Sequence, residues 1–200
     1  MSIEWIRGEG YYSNSYFSDG ILFDAGMFPM SFEKFKDEIE TIVLTHCHFD
    51  HIAHVKEAAY MSGAEVCIHE ADAKGLNDDS KSLSIQFSAR SPGIVPDRIL
   101  QEGETIGPFE VIHTPGHTPG CICLYNRDTK DLVSGDTVFT DGGFGRFDFP
   151  GGSINQLKES IKKLSLLDVE GLYPGHGLPV INNGNLHIKA ALRSIEMSYI

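Results

Sequence analysis

The sequence predicts an α+β chain in which two β-sheets pack together with helices outside. Two observations predict it. Strand-like segments come first, a helical stretch follows, and a second round of strands and helices repeats that order. A length of 200 residues with 41% hydrophobic content suits a single domain, residues 1–200, with a substantial core.

Each element has its own signal. Ile3 to Ile6, Tyr11 to Phe17 and Gly20 to Asp24 read as strands, aromatic or β-branched and separated by Gly and Asp. Phe32, Phe35 and Ile39 then fall at helical spacing. Thr41 to Thr45 reads as a buried strand that runs straight into a polar cluster, His46 to His51. A helix from about Ile52 to Ser62 stops at Gly63. Glu65 to Ile68 is a strand and Glu70 to Asn77 a short helix, whereas residues 78–98 are polar and show no periodicity. Phe109 to His113, Gly120 to Tyr125 and Asp131 to Ser134 are three further strands. Ser153 and Gln156 form a capping box ahead of a helix with Ile154, Leu157, Ile161 and Leu164 on one face. A short strand precedes His176, Asn182-Asn183-Gly184 is a turn, and Leu186, Leu192, Ile195 and Tyr199 suggest a last helix.

Composition excludes some functions. Sixteen Lys and Arg against 28 Asp and Glu give a formal charge of −12. That charge disfavours nucleic acid and an anionic membrane surface as partners, because both select a basic face. No apolar run approaches the ~20 residues of a spanning helix, and Glu4, Arg7 and Glu9 interrupt any signal-like apolar core near the start. Cys47, Cys67, Cys121 and Cys123 form no C-x-x-C pair, so reduced thiols in the cytoplasm are expected. Oligomeric state has no signal here.

The densest chemical signal is Thr45-His46-Cys47-His48-Phe49-Asp50-His51. Four metal-ligating side chains fall within six residues at the mouth of an apolar strand. His46, His48 and Asp50 are spaced by two, which in extended chain aims them to one side, while His51 needs a tight bend to join them. A helix-capping loop with Asp50 as the cap is the plain alternative. Three later residues, His117, Asp136 and His176, each follow a strand, where loops collect function. Together these five His and two Asp suffice for two metal sites sharing a carboxylate.

This pattern resembles the metallo-β-lactamase-fold hydrolases, with their His-x-His-x-Asp-His motif followed by separated His, Asp and His ligands. The resemblance runs from about Ile21 to Gly177 and is closest to small glyoxalase II-like proteins. It implies a four-layer αβ/βα sandwich of two mixed β-sheets flanked by helices. It also implies one metal on His46, His48 and His117, a second on Asp50, His51 and His176, and Asp136 as the bridge. Asp24, in Leu22-Phe23-Asp24-Ala25-Gly26, is then a supporting residue and not a ligand. The cofactors would be two divalent ions, Zn(II) first, with Fe or Mn as alternatives.

The implied chemistry is hydrolysis of a small-molecule thioester, or a related ester or lactone. Two metals ~3.5–4 Å apart share a water and lower its pKa toward neutrality, and the resulting hydroxide attacks the carbonyl. Asp50 and Asp136 are the catalytic carboxylates, Asp50 being able to orient that nucleophile and take up its proton. A thiolate leaves with little acid help, since thiol pKa values lie near ~8.5. In Phe139 to Gly152, Arg146 and Phe144 are candidate substrate contacts, although an Arg146–Asp148 pair bracing the loop is the more economical reading. Only 24 residues follow His176, and of the basic residues there Lys189 and Arg193 share a helix face that suits solvent, so the resemblance leaves glutathione binding open. The rival is a persulfide dioxygenase of the same fold, with one Fe(II) on His48, His117 and Asp136. His54 reads as a cleft or surface residue, His113 as a support near His117, and His69 and His187 as surface. Cys47 points away from the ligands between which it lies.

Overall fold

The computed structural model describes residues 3–198 and divides into two units, Met1–Leu100 and Gln101–Ile200. Each is a mixed β-sheet with helices packed on it, so the chain is α+β as predicted. Among the described residues no helix is long and apolar enough to cross a membrane.

In the first unit, short runs make six strands, paired first antiparallel and then parallel. β1 (Glu4–Ile6), β2 (Ser15–Ser18) and β3 (Ile21–Phe23) form an antiparallel meander. β4 (Thr41–Val43), β5 (Glu65–His69) and β6 (Arg98–Leu100) then add in parallel, giving the order β1 to β6. The continuous burial of Ile21-Leu22-Phe23 is what parallel pairing demands. The polar segment before β6 masks that strand in the sequence.

Three expectations change in this unit. Tyr11 to Asn14 is loop and not strand, because buried Asn14 turns its carbonyl oxygen to the Trp5 indole N–H and the Gly8 N–H, both at 3.0 Å. The Phe32, Phe35 and Ile39 stretch buries all three residues but winds as two 3-10 turns, Pro29–Ser31 and Glu33–Phe35. The helix expected from Ile52 is two helices, α1 (Phe49–Ile52) and α2 (Val55–Ser62), broken at His54, whose ring Nδ1 lies 2.8 Å from the Gly26 carbonyl. Gly63 closes α2 in the left-handed conformation at φ 74°, as the sequence predicts. α3 (Glu70–Ala73) follows β5 with His69 as its cap, and a 3-10 turn continues it to Asn77.

Residues 78–98 are irregular but organised. Asp79 accepts from the Ser91 N–H at 2.8 Å and from Arg90 at 2.6 Å, and these bonds, the backbone one foremost, hold its carboxyl down at about 2. An unfolded Asp titrates near ~3.9, so this stabilisation is complete above that pH and is lost as pH falls through about 2. Hydrogen-exchange protection across 78–98, taken against the intrinsic rate at each pH, should fall over that window, and Asp79→Asn should show reduced protection already at neutral pH.

The second unit's sheet runs β11-β10-β9-β8-β7. Its strands are β7 (Thr105–Ile106), β8 (Phe109–His113), β9 (Ile122–Asn126), β10 (Asp131–Gly135) and β11 (Gly171–Pro174). Only β10 and β11 pair in parallel. α4 (Ile154–Leu164) is capped by Ser153, whose Oγ accepts from the Gln156 N–H at 3.4 Å, and buries Leu157, Ile161 and Leu164. Those side chains pack with Tyr125, Leu132 and Leu172 of the sheet and with Ile188, Ala191 and Ile195 of α5 (Gly184–Met197). Each fully buried aliphatic side chain there is worth about 1.5–3 kcal/mol. The inward face of α5 differs from the expected one: Leu186 is 63% exposed, and Ile188 and Ala191 take its place. Tyr199 lies outside the described residues. Lys189 and Arg193 are exposed, as a solvated face requires.

Candidate metal centre

The first unit delivers its four candidate ligand residues from the end of β4. Leu44 donates to the Cys67 carbonyl and leaves the sheet, and the chain reaches α1 through His46, Cys47 and His48. His48 occupies the N-cap position in extended backbone, with no side-chain capping bond, so the capping role considered for Asp50 falls to neither side chain. Asp50 and His51 lie on the first turn of α1, and the His51 N–H bonds to the His48 carbonyl at 3.0 Å. That turn supplies the bend His51 needs. The His46 ring stands 4.8 Å from that of His48 and 4.1 Å from that of His51, centroid to centroid.

Asp24 fixes which ring atoms face outward. It is buried and left-handed at φ 58°. It accepts from the Thr45 N–H at 2.7 Å, from Thr45 Oγ1 at 2.8 Å and from His51 Nδ1 at 2.8 Å. With its own proton given to Asp24, the Thr45 hydroxyl is the acceptor for His46 Nδ1, 3.1 Å away. Both imidazoles therefore carry hydrogen on Nδ1, and the neutral ring then has its lone pair on Nε2. Cys47 turns the other way: its N–H donates to Asp72 at 3.0 Å, and its side chain fills the space a Gly75 side chain would need. The bond from buried Asp72 has no signal in the sequence.

The second unit places its three residues at the ends of β8, β10 and β11. Gly116, at φ 137°, lets the His117 turn press against Leu157 of α4, where any side chain would collide with the helix backbone. The turns after β8 and β10 are joined by Thr114 and Thr137, hydroxyl to hydroxyl at 2.8 Å, and Gly175 donates to the Gly135 carbonyl at 2.8 Å. His117 Nδ1 donates to the Arg146 carbonyl at 2.6 Å, which turns Nε2 away from that carbonyl and leaves it the lone-pair atom of the neutral ring. Asp136 Oδ2 sits 3.5 Å from His117 Nε2 and 3.6 Å from His176 Nε2.

These separations fit a metal and not a hydrogen bond. Two ligand atoms at about 2.1 Å from a tetrahedral ion lie about 3.4 Å apart. The Asp136 distances match that edge, and His51 Nε2 to Asp50 Oδ2, at 3.7 Å, lies close to it. A carboxylate oxygen facing a neutral imidazole's lone pair is repulsive unless a metal ion or a proton lies between them, and an ion at tetrahedral distances fits the observed separations. The donor set, imidazole with carboxylate, is one that zinc, iron and manganese all accept.

Arg146 grips Asp148 with two bonds, at 2.9 and 2.6 Å, and lies over the Phe149 ring at 4.2 Å, which is the loop-bracing geometry. Phe144 packs partly buried on the second unit's core. The Arg146 backbone matters more directly, through His117, and its neighbour Gly145 faces the Asp136 carbonyl so closely that a methyl would overlap it and lie 2.9 Å from His117 Nδ1. Gly145→Ala should lower stability by about 1–3 kcal/mol in urea melts and weaken metal retention in chelator competition. His54 is partly buried, His69 caps α3, and His113 holds the Pro119 carbonyl at 2.9 Å. His187 is more than surface: its Nδ1 accepts the Asp141 N–H at 2.8 Å.

Two mixed sheets flanked by helices, with His and Asp gathered at their strand ends, define a metal-binding fold of the metallo-β-lactamase type. The chain belongs to the metallo-β-lactamase superfamily, whose family model matches residues 9–176. It is 35% identical over 191 residues to the probable metallo-hydrolase MJ0888 of Methanocaldococcus jannaschii, covering 86% of this chain and 91% of that one. It is 35% identical over 154 residues to the hydroxyacylglutathione hydrolase GloC of Haemophilus influenzae, covering 70% and 69%. Among solved structures it is similar to TTHA1623 in a di-iron-bound form, with a TM-score of 0.77 at 28% identity, covering 91% and 92%.

Proposed function

We propose that this chain is a two-metal hydrolase that cleaves a small-molecule thioester or a related ester. In this reading one ion takes His46, His48 and His117, the other takes Asp50, His51 and His176, and Asp136 is shared. The two units then act as one domain, in keeping with a family model that runs through both. The observation that carries it is the Asp136 oxygen set 3.5–3.6 Å from two imidazole nitrogens, one of which, in His117, belongs to a ring oriented by its Nδ1 bond.

Bound divalent ions would supply Lewis acidity and a water of lowered pKa. Asp50, the partly exposed carboxylate of the set, would orient the incoming water and take its proton. Thr45, Asp24 and the Arg146 carbonyl would hold the rings in the ligating tautomer. Arg146 and Phe144 are the substrate-side candidates on the loop after Asp136. Similarity to the hydroxyacylglutathione hydrolase GloC supports a thioester, and similarity to the di-iron-bound form of TTHA1623 supports iron beside zinc as the metal.

Metal analysis and turnover of untagged protein test this. About two ions per chain and thioester cleavage without oxygen are expected. One iron per chain with oxygen uptake on a persulfide would replace this reading with the dioxygenase one.

A further inference from the structure

A continuous strip of aromatic rings starts at the metal-ligand turn of the first unit and runs outward. Phe49, between His48 and Asp50, lies 5.4 Å from the Phe87 ring. Phe87 lies 4.7 Å from Tyr11, and Tyr11 4.4 Å from Tyr12. Phe28 and the His54 ring close the far end, at 5.2 and 5.4 Å from Tyr12. Phe49 is buried, while Tyr11 and Phe28 are 49% and 51% exposed, so the strip emerges into solvent from the ligands outward.

The strip is anchored to the ligand turn by backbone. Ser13 donates to the Asp50 carbonyl at 3.1 Å, Ala25 to that of His51 at 2.8 Å, and Phe49 to that of Ser82 at 2.7 Å. Gly26 leaves no room for a side chain against the Asp50 carbonyl. Three loops, residues 8–14, 24–28 and 82–88, are thereby fixed around the segment that carries His48, Asp50 and His51. None of them contains a Lys or Arg, and Glu9 and Asp24 are their only charged residues. Within these loops no side chain can form an ion pair with a carboxylate. The strip offers ring faces and edges, which favour aromatic and extended apolar groups.

We infer that this strip binds the acyl group of the substrate and selects a neutral aromatic or extended apolar acyl chain over a small or anionic one. The inference builds on the hydrolase reading above and names its substrate class.

The test compares phenylacetyl and acetyl thioesters of N-acetylcysteamine with the metal-loaded enzyme. It also follows 19F line broadening of 1-(4-fluorophenyl)propan-2-one, a ketone analogue, with metal-free protein. The phenylacetyl ester should lead in kcat/KM by about tenfold, the scale of an aromatic contact. Tyr11→Ala and Phe87→Ala should each bring the ratio of the two esters toward one, chiefly through KM, and narrow the 19F line. A merely structural role would lower the melting temperature and both esters alike, leaving the ratio unchanged, and that result overturns the inference. So does an equal preference for the two esters in the parent protein. If neither ester is cleaved but the line broadens and the two variants narrow it, the hydrolase reading fails while the aromatic acyl-binding strip stands.

Discussion

Asp136→Ala is expected to bring metal content below two ions per chain and to lower thioester turnover by more than about 100-fold, the upper range for losing a mere supporting partner of a ligand. The sign of its stability effect is the sharper test. Without metal, and at a pH where both rings are neutral, the Asp136 oxygen faces two imidazole nitrogens at 3.5 and 3.6 Å, and removing the carboxylate relieves the repulsion with the His117 lone pair. At such a pH the metal-free variant should therefore melt no lower than the metal-free parent. The metal-loaded parent should melt well above both, because an ion bound only by the native state stabilises it by mass action. Calorimetry with and without chelator reads both differences. A variant that keeps two ions per chain would remove Asp136 from the bridging role.

Asp24→Asn is expected to have the second largest effect, though Asp24 touches no metal in the proposed site. Its carboxylate is the common acceptor for Thr45 and His51. A carboxamide presents one oxygen and one N–H group, so at least one of the three bonds is lost with its donor still buried. The expected loss is about 1–3 kcal/mol in stability and about 10–100-fold in metal affinity, as the His51 ring loses its anchor. Asn tolerates the left-handed backbone at φ 58°, so this substitution isolates the hydrogen bonds. Asp24→Ala adds backbone strain and should be less stable again. Urea denaturation and chelator competition measure the two quantities separately. Equal metal affinity in parent and Asn variant would show that the ring holds its tautomer without Asp24.

The candidate ligand residues stood out in the sequence because their chemistry is dense and local. Four ligating side chains fall within six residues directly after the apolar run Ile42-Val43-Leu44, a density that metal binding requires and a plain capping loop does not. α4 was equally legible, since its cap and its 3.6-residue apolar period lie within one stretch of chain. β6 was not, because three residues behind a polar loop have no period of their own and become a strand only by pairing with Cys67 to His69 of β5. The stretch Tyr11 to Asn14 misled for a related reason: its aromatic residues favour a strand, but the Asn14 side chain caps a loop instead.

The sequence by itself determined the kind of fold, the candidate ligand residues and the acidic net charge. All three are set by residue type, order and number. Only the tertiary structure decided how the candidate residues are held. It joined Asp24 to Thr45 and His51 across 21 and 27 residues, turned the Arg146 carbonyl to His117 across 29, and laid Tyr11, Phe28 and Phe87 along the turn that carries Asp50. Hydrogen bonds and ring contacts depend on distances in space that spacing along the chain does not encode, so the tautomers of the metal ligands and the aromatic strip beside them emerge only when the chain is folded.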